Sequence, residues 1–357
     1  MRALIVGAGA VGRYLGARLR LGGHDAVLYA RTESARELLD DGVTLHVGAQ
    51  EWPVAVGVAS SPDDVSVRAP FELAIVAVKA YSTGEAIDVL RGLPSCAEST
   101  VLAVQNGIGN EEQLASAFGA DRIAAAALTT AVAREHDAVV AADRGGLTFA
   151  PVGTPSHNWL LPLWSACGVE VRAANDWRAL KWSKLCINLL ANGVCAALDW
   201  TPAQVYADAE AFAIERECLV EATAVMQRAG IKPVGLVGFP VPVLVAAVRA
   251  LSPSLLKYVL ANRVLGARGD KLPSLLLDLR AGRRKTEAEA MYGAVARAAE
   301  TLGMRAPANA AISRIVAGIA AGTIEWSLFR GNPAALKGAV DLYGRPPTQG
   351  CGGAVDL

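Results

Sequence analysis

The chain has 357 residues, enough for about two domains. Hydrophobic residues make up 53% and charged residues only 19%, so the chain can bury a large core. Its 34 basic and 34 acidic residues leave a net charge of zero, which argues against nucleic acid or an anionic membrane as partner.

Ala3 to Val6 is a short apolar run, long enough for one buried strand. Gly7-Ala8-Gly9-Ala10-Val11-Gly12 follows as G-x-G-x-x-G, and Val11 to Leu21 reads as a helix. Strand, glycine turn and helix in that order are the pattern of a dinucleotide site. Gly7 permits the tight turn, Gly9 lets the backbone approach a pyrophosphate, and Gly12 lets the helix pack on the strand. The helix N-terminus offers N–H groups and partial positive charge to the phosphates.

Asp25 to Tyr29 reads as the second strand, ending at Ala30-Arg31-Thr32. An NAD site usually places Asp or Glu at that end to bond the ribose 2′-OH. Here there is no acid, and Arg31 can pair with a 2′-phosphate, which points to NADPH. Ser34 to Asp40 reads as a short helix, and Val43 to Ala59 alternates as a hairpin would. Phe71 to Val78 is a near-continuous apolar run, the signature of a central parallel strand, and Thr100 to Gln105 is another. Lys79 and Asn106 stand just past the carboxyl ends of these strands, where ligands bind in open α/β sheets. A plain turn former also fits either place, Asn106-Gly107 above all.

Ile123 to Ala133, Ala138 to Ala142 and Leu147 to Ala150 read as further strands of more antiparallel pattern, with Val169 to Arg172 closing the sheet. From Asp176, which suits a helix N-cap, helical patterns dominate. The expected fold is therefore α/β: a Rossmann-like dinucleotide-binding domain over residues 1–175 and an all-helical domain over 176–357. Trp177 to about Leu198 reads as one long helix, apolar nearly all round. Lys184, Asn188 and Asn192, at i, i+4 and i+8, would share one face of it. An unpaired buried amide costs ~1–3 kcal/mol, so this stripe needs partners or a wet cleft.

Thr201-Pro202 starts the next helix, expected to run to Ala229 and stop at Gly230. Residues 232–269 are rich in Pro and Gly, with shorter helical pieces, and Leu272 to Leu279 is apolar around Ser274. Arg284 to Leu302 reads as a helix with Glu287 near its start, where a carboxylate commonly serves the helix dipole. Pro307 to Ala321 is one more helix, and the tail from Thr323 is expected to end in a mobile segment.

The six cysteines are scattered without a C-x-x-C pair, as in a reduced cytosolic protein, and the four histidines show no metal-ligand spacing. Arg2 before an apolar run imitates a signal peptide, but Arg13, Arg18 and Arg20 follow at once. No apolar run is long enough to span a bilayer, and the expected location is the cytoplasm.

Together these residues resemble the ketopantoate reductase family, NADPH-dependent 2-dehydropantoate 2-reductases. The likeness runs in order from Met1 to about Pro307. It rests on the glycine turn, Arg31, Val78-Lys-Ala-Tyr81, Gln105-Asn-Gly-Ile-Gly109, Lys184-Leu-Cys-Ile-Asn188 with Asn192, Ser274 four before Asp278, and Arg283-Arg-Lys-Thr-Glu287. The resemblance implies that Lys184 is the general acid, protonating the keto oxygen as hydride reaches the carbonyl carbon. It implies that Asn106, Asn188, Asn192 and Ser274 hold a hydroxy-keto-acid, that Glu287 faces the cleft between the domains, and that Lys79 supports the cofactor. An ammonium beside the oxygen stabilises the charge that hydride addition builds there.

The segment between Asn192 and Ser274 is longer than usual in the family, and the loop from Asp278 to Glu287 carries one extra residue. Trp200 stands where a polar substrate contact, commonly Asn, is expected, and the C-terminal tail is long. All these departures touch the substrate half. The alternatives are a reductase of another branched or aromatic 2-oxo acid, an NADPH-sensing regulator without turnover, and an imine-reducing opine-type dehydrogenase. A sensor needs no proton donor, which the Lys184 stripe supplies. A homodimer is compatible with the sequence.

Overall fold

The structure is a computed structural model describing residues 1–30, 35, 38, 42–66, 70–135, 138–268 and 272–344. It forms two compact units: Met1–Lys184 with Val234–Pro240, and Leu185–Pro233 with the chain from Val241 onward.

The first unit is built on an eight-stranded sheet. Its strands are β1 (Arg2–Val6), β2 (Asp25–Tyr29), β5 (Gly57–Ala59), β6 (Leu73–Val76), β7 (Thr100–Ala103), β8 (Ile123–Leu128), β11 (Leu147–Pro151) and β12 (Val171–Ala173), in the order β12-β11-β8-β7-β6-β1-β2-β5. All neighbours are parallel except β8 and β11. Side chains alternate across a strand, so a central parallel strand must be apolar on both faces. In β1, Ala3 and Ile5 enter one core while Leu4 and Val6 enter the other; in β6, Leu73 and Ile75 oppose Ala74 and Val76. That requirement is why these runs read as continuously apolar.

A second sheet orders β4 (Gln50–Val54), β3 (Val43–Val47), β10 (Ala138–Ala141) and β9 (Val132–Glu135). Helix α1 (Ala10–Leu21) packs against both sheets. The expected hairpin over 43–59 is present as β3 and β4, but Gly57–Ala59 leaves it to pair parallel with β2. Val58 and Ala59 are buried in opposite cores, as a strand of the main sheet requires. The run from Ile123 to Ala133 divides between the two sheets. Thr129 turns the chain there: its hydroxyl donates to Val237 O at 2.7 Å, and its N–H donates to Gly146 O at 2.8 Å.

The remaining helices of the first unit are α2 (Pro62–Ser66), α3 (Thr83–Arg91), α4 (Asn110–Phe118) and α5 (Leu160–Ala166), followed by the start of α6 (Trp177–Leu189). Asp176 caps α6, accepting the N–H groups of Arg178 and Ala179 at 2.8 and 3.0 Å. The second unit continues α6 and adds α7 (Gly193–Leu198), α8 (Pro202–Ala207), α9 (Ala209–Arg228), α10 (Val241–Ala250), α11 (Pro253–Arg268), α12 (Ser274–Arg280), α13 (Ala294–Thr301), α14 (Pro307–Ala321) and α15 (Pro333–Gly344). No helix among the described residues is long and apolar enough to cross a membrane.

Three helical expectations need correction. The helix expected over 177–198 breaks after Leu189, with Ala191 in the left-handed region at φ 44. Such a backbone costs a non-glycine residue roughly 1–2 kcal/mol, so buried side chains elsewhere must hold it. Asn192 therefore starts α7 instead of continuing the Lys184–Asn188 face. The helix expected over 201–229 is two helices, because two caps compete. Thr201 and Gln204 form a capping box, and Asp208 then caps α9 through the Ala211 N–H at 2.8 Å. Arg284 to Glu287 are not helical; the helix begins at Ala288 and passes through a π-turn, Glu289–Gly293. The tail holds a helix, α15, whose Leu336, Ala339 and Val340 are buried at helical spacing; residues 345–357 lie outside the described residues, as does most of the helix expected over 34–40.

Lys181 fastens α6 within the first unit. Its ammonium lies 2.8 Å from Glu111 of α4 and donates to Gln105 O at 2.5 Å, and both side chains are about fully buried, at 1% and 0% exposure. Burial pushes the Glu111 carboxyl above its ordinary range, against the attraction of Lys181. Removing one partner of a buried pair typically costs about 3–5 kcal/mol, whereas replacing both by apolar groups is often neutral. Lys181→Met should lose stability on that scale in urea denaturation, and Lys181→Met/Glu111→Leu should recover most of it. In the single variant the folded-state carboxyl titrates higher still, so the folded state binds the extra proton. The deficit should then shrink as pH falls toward the ordinary carboxylate range and grow as pH rises. A deficit flat with pH would show that the carboxylate is not the destabilising group.

Candidate functional site

The glycine turn occupies the carboxyl end of β1. Gly7 has φ 114, and a Cβ there would meet Ala77 C and Val78 N at 2.9 Å. A Cβ on Gly12 would land on Gly7 O, so Gly12 is what lets α1 start so close to the turn. Gly9 differs: it is exposed, and a Cβ there would meet nothing within 4 Å. Helix α1 also begins without a side-chain cap and without an acidic residue in its first turn. Open space above an uncapped, positive helix end fits a pyrophosphate.

Ala8 and Ala10 flank Gly9 half-buried, and Val11 packs against the core. Arg13, one residue beyond the motif and 1% exposed, donates from Nε to Ala8 O at 2.9 Å. Its charge hid this role, since a helix arginine ordinarily faces water. Arg31 lies outside the described residues.

Lys79 and Asn106 are both half-buried, at the ends of β6 and β7 beside the glycine turn of β1. A buried polar chain fixes their loops. Gln105 Nε2 donates to Thr83 Oγ1 at 2.8 Å, and the Thr83 hydroxyl lies 2.9 Å from Asn110 Oδ1. Asn110 Nδ2 then donates to Asn106 O at 3.0 Å. Thr83, Asn110, Lys181 and Glu111 support this edge without standing out in the sequence, whereas Gln105 opens the Gln105–Gly109 motif. The available signal was polarity next to strand ends and inside an apolar helix.

On α6 and α7, every residue from Ala179 to Leu198 is buried except Lys184 and Asn188. The two are one helical turn apart, so the amine and the amide share a partly open face. Asn192 is spent differently from the expected stripe. Its Nδ2 donates to Asn188 O at 3.0 Å, and its Oδ1 accepts the Leu275 N–H at 3.2 Å. Ser274, adjacent to Leu275, is exposed at the first turn of α12. Glu287, at 3% exposure, stands immediately before the helix that begins at Ala288. Trp200 is half-buried after Asp199, a residue at φ 55 whose carboxylate pairs with Arg280 and Arg330; although partial burial opposes it, these two guanidinium groups hold its carboxyl below the ordinary range.

Substitutions at the two glycines test packing and the expected pyrophosphate contact separately. Gly12→Ala should cost about 1–3 kcal/mol by overpacking. Gly9→Val should leave the melting temperature in place while abolishing measurable dinucleotide binding in a fluorescence titration. Unimpaired binding by Gly9→Val would remove the pyrophosphate from this turn.

Two family models match the chain in order: Ketopantoate reductase PanE/ApbA over residues 3–153 and Ketopantoate reductase PanE/ApbA C terminal over residues 176–320. The 2-dehydropantoate 2-reductase of Archaeoglobus fulgidus is 26% identical over 329 residues, covering 90% of this chain and 98% of the relative. A crystal structure of a PanE/ApbA family ketopantoate reductase from Ralstonia eutropha superposes with a TM-score of 0.75 at 25% identity, covering 90% of this chain and 98% of that one. A ternary structure of D-mandelate dehydrogenase with NADH and anilino(oxo)acetate shares the fold at 20% identity, with a TM-score of 0.76 and coverage of 90% and 99%. With a dinucleotide turn, polar strand ends and a buried helix opening at one lysine and one asparagine, the chain belongs to the ketopantoate reductase family of dinucleotide-binding oxidoreductases.

Proposed function

We propose that the protein reduces a 2-oxo acid to a 2-hydroxy acid with NADPH, its substrate being 2-dehydropantoate (ketopantoate). The observation that carries this reading is the exposure pattern of residues 179–198, where only Lys184 and Asn188 escape burial. A helix otherwise sealed on all sides opens at an ammonium and an amide, the groups that a keto oxygen and a carboxylate need.

NADPH, when bound, supplies the hydride. The chain's residues do the rest. The glycine turn and the α1 N-terminus bind the pyrophosphate, with Lys79 and Asn106 at the same sheet edge. Asn106, Asn188 and Ser274 orient the acid, and Asn192 has its second N–H left for the substrate. Lys184 Nζ donates a proton to the keto oxygen as negative charge grows there, which lowers the barrier only if the ammonium is close in the transition state. Glu287 joins Lys184 in the catalytic pair, facing the bound cofactor and substrate as the family resemblance implies. Trp200, standing where a polar contact is expected, favours a second reading, a bulkier branched or aromatic 2-oxo acid.

NADPH oxidation across a panel of 2-oxo acids tests the reading and ranks the substrates. Lys184→Ala should lower kcat by about 10²–10⁴-fold while NADPH affinity survives. Lys184→Arg should rescue poorly, because guanidinium is a far weaker acid. Near-normal turnover by Lys184→Ala would defeat the mechanism.

Arg31→Ala should weaken NADPH binding and leave NADH nearly unchanged, read by titrating each cofactor. Equal loss for both, or an NADH-preferring wild type, would contradict the role of Arg31.

A further inference from the structure

Asn192-Gly193 is a local turn signal, yet α6 already stops before it, after Leu189. Leu189-Leu190-Ala191 favours helix, and a continuous helix would satisfy its own backbone groups. Instead three buried polar side chains hold the chain open. The Tyr292 hydroxyl accepts the Gly193 N–H at 2.7 Å and donates to Leu189 O at 3.0 Å, spanning the break. Glu215 Oε1 accepts the Ala191 N–H at 2.8 Å and is itself held by the Tyr206 hydroxyl at 2.6 Å. Asn192 ties the break to the first turn of α12 through Leu275. The Tyr292 ring also occupies the space a Cβ on Gly193 would need, with Cζ 2.6 Å from that position. Burial holds the Tyr292 phenol well above its ordinary range, so the hydroxyl keeps the proton it donates.

The break places groups that packing alone does not need. It turns Asn192 off the Lys184–Asn188 face and onto the segment that begins with Ser274. Tyr292 lies in the π-turn that opens five residues' reach from Glu287, whose carbonyl accepts the Ala290 and Met291 N–H groups. One hydroxyl therefore joins the segment carrying Glu287 to the backbone carrying Asn188. π-turns of this kind recur at functional sites.

We propose that Tyr292 is a positioning residue for 2-oxo acid binding, setting the register of Asn188, Ser274 and Glu287 through the break at Leu189–Gly193. This rests on the reductase reading above. The test is steady-state kinetics of full-length Tyr292→Phe, which keeps the ring and loses only the hydroxyl. As a control for stability alone, Glu221→Gln weakens a comparable clasp elsewhere, where Glu221 accepts the Ala308 and Asn309 N–H groups at 2.9 Å. Tyr292→Phe should lower kcat/KM for ketopantoate about 10–100-fold, mainly by raising KM, as expected for binding groups displaced by about 1 Å. NADPH affinity should be unchanged, and amide exchange at Gly193 should accelerate. Glu221→Gln should leave KM unchanged at a similar loss of melting temperature. An unchanged KM in Tyr292→Phe, or equal KM increases in both variants, overturns the proposal while leaving the reductase reading intact. If Tyr292→Phe does not fold, Tyr206→Phe loosens the same break through Glu215, and an unchanged KM there overturns the proposal equally. A wild type that reduces no 2-oxo acid defeats the reductase reading and this inference with it.

Discussion

Lys181 carries an ammonium into a core that excludes water, and much of the site follows from where that charge can rest. A buried cation is tolerated only with an opposite charge and hydrogen-bond acceptors around it. Glu111 supplies the charge and Gln105 the carbonyl, so α6 is pinned in rotation and height to the loop that follows β7. Lys184, three residues further along, then falls at the margin of burial and not within it. The ion pair thereby fixes how the amine proposed to donate the proton is presented, without taking part in the chemistry.

The same loop is braced from its other side. Gln105, Thr83 and Asn110 connect the ends of two adjacent parallel strands through buried polar atoms. Such networks are costly when incomplete and rigid when satisfied. Lys79 and Asn106 consequently sit on braced backbone at the edge that also carries the glycine turn.

The first unit was largely legible because its signals are local. β1, the glycine turn, α1 and β2 follow from a few consecutive residues, and both-face burial makes parallel strands conspicuous. Lys184 and Asn188 were legible as polar positions in an apolar helix. What stayed hidden was set by partners distant in sequence. The break after Leu189 is held by Glu215 and Tyr292, which no reading of residues 177–198 alone can supply. Asn192 falls on the Lys184–Asn188 stripe only in a straight helix, and the break at Ala191 takes it off that face. The buried state of Arg13 and Lys181 was hidden for the opposite reason, since charge normally argues for solvent. Leu336, Ala339 and Val340 did carry helical spacing, and α15 was readable in the tail.

Hydride transfer to the carbonyl carbon of a 2-oxo acid, with the proton coming from Lys184, is the step proposed for this protein. The most direct measurement uses NADPH deuterated at C4 of the nicotinamide, with ketopantoate as substrate and mass spectrometry of the product. The expected result is one deuterium at C2 of the hydroxy acid in the wild type, and about 10²–10⁴-fold less product, carrying the same label, from Lys184→Ala under the same exposure. A protein that binds the dinucleotide yet forms no deuterated hydroxy acid from ketopantoate or any other 2-oxo acid would contradict it.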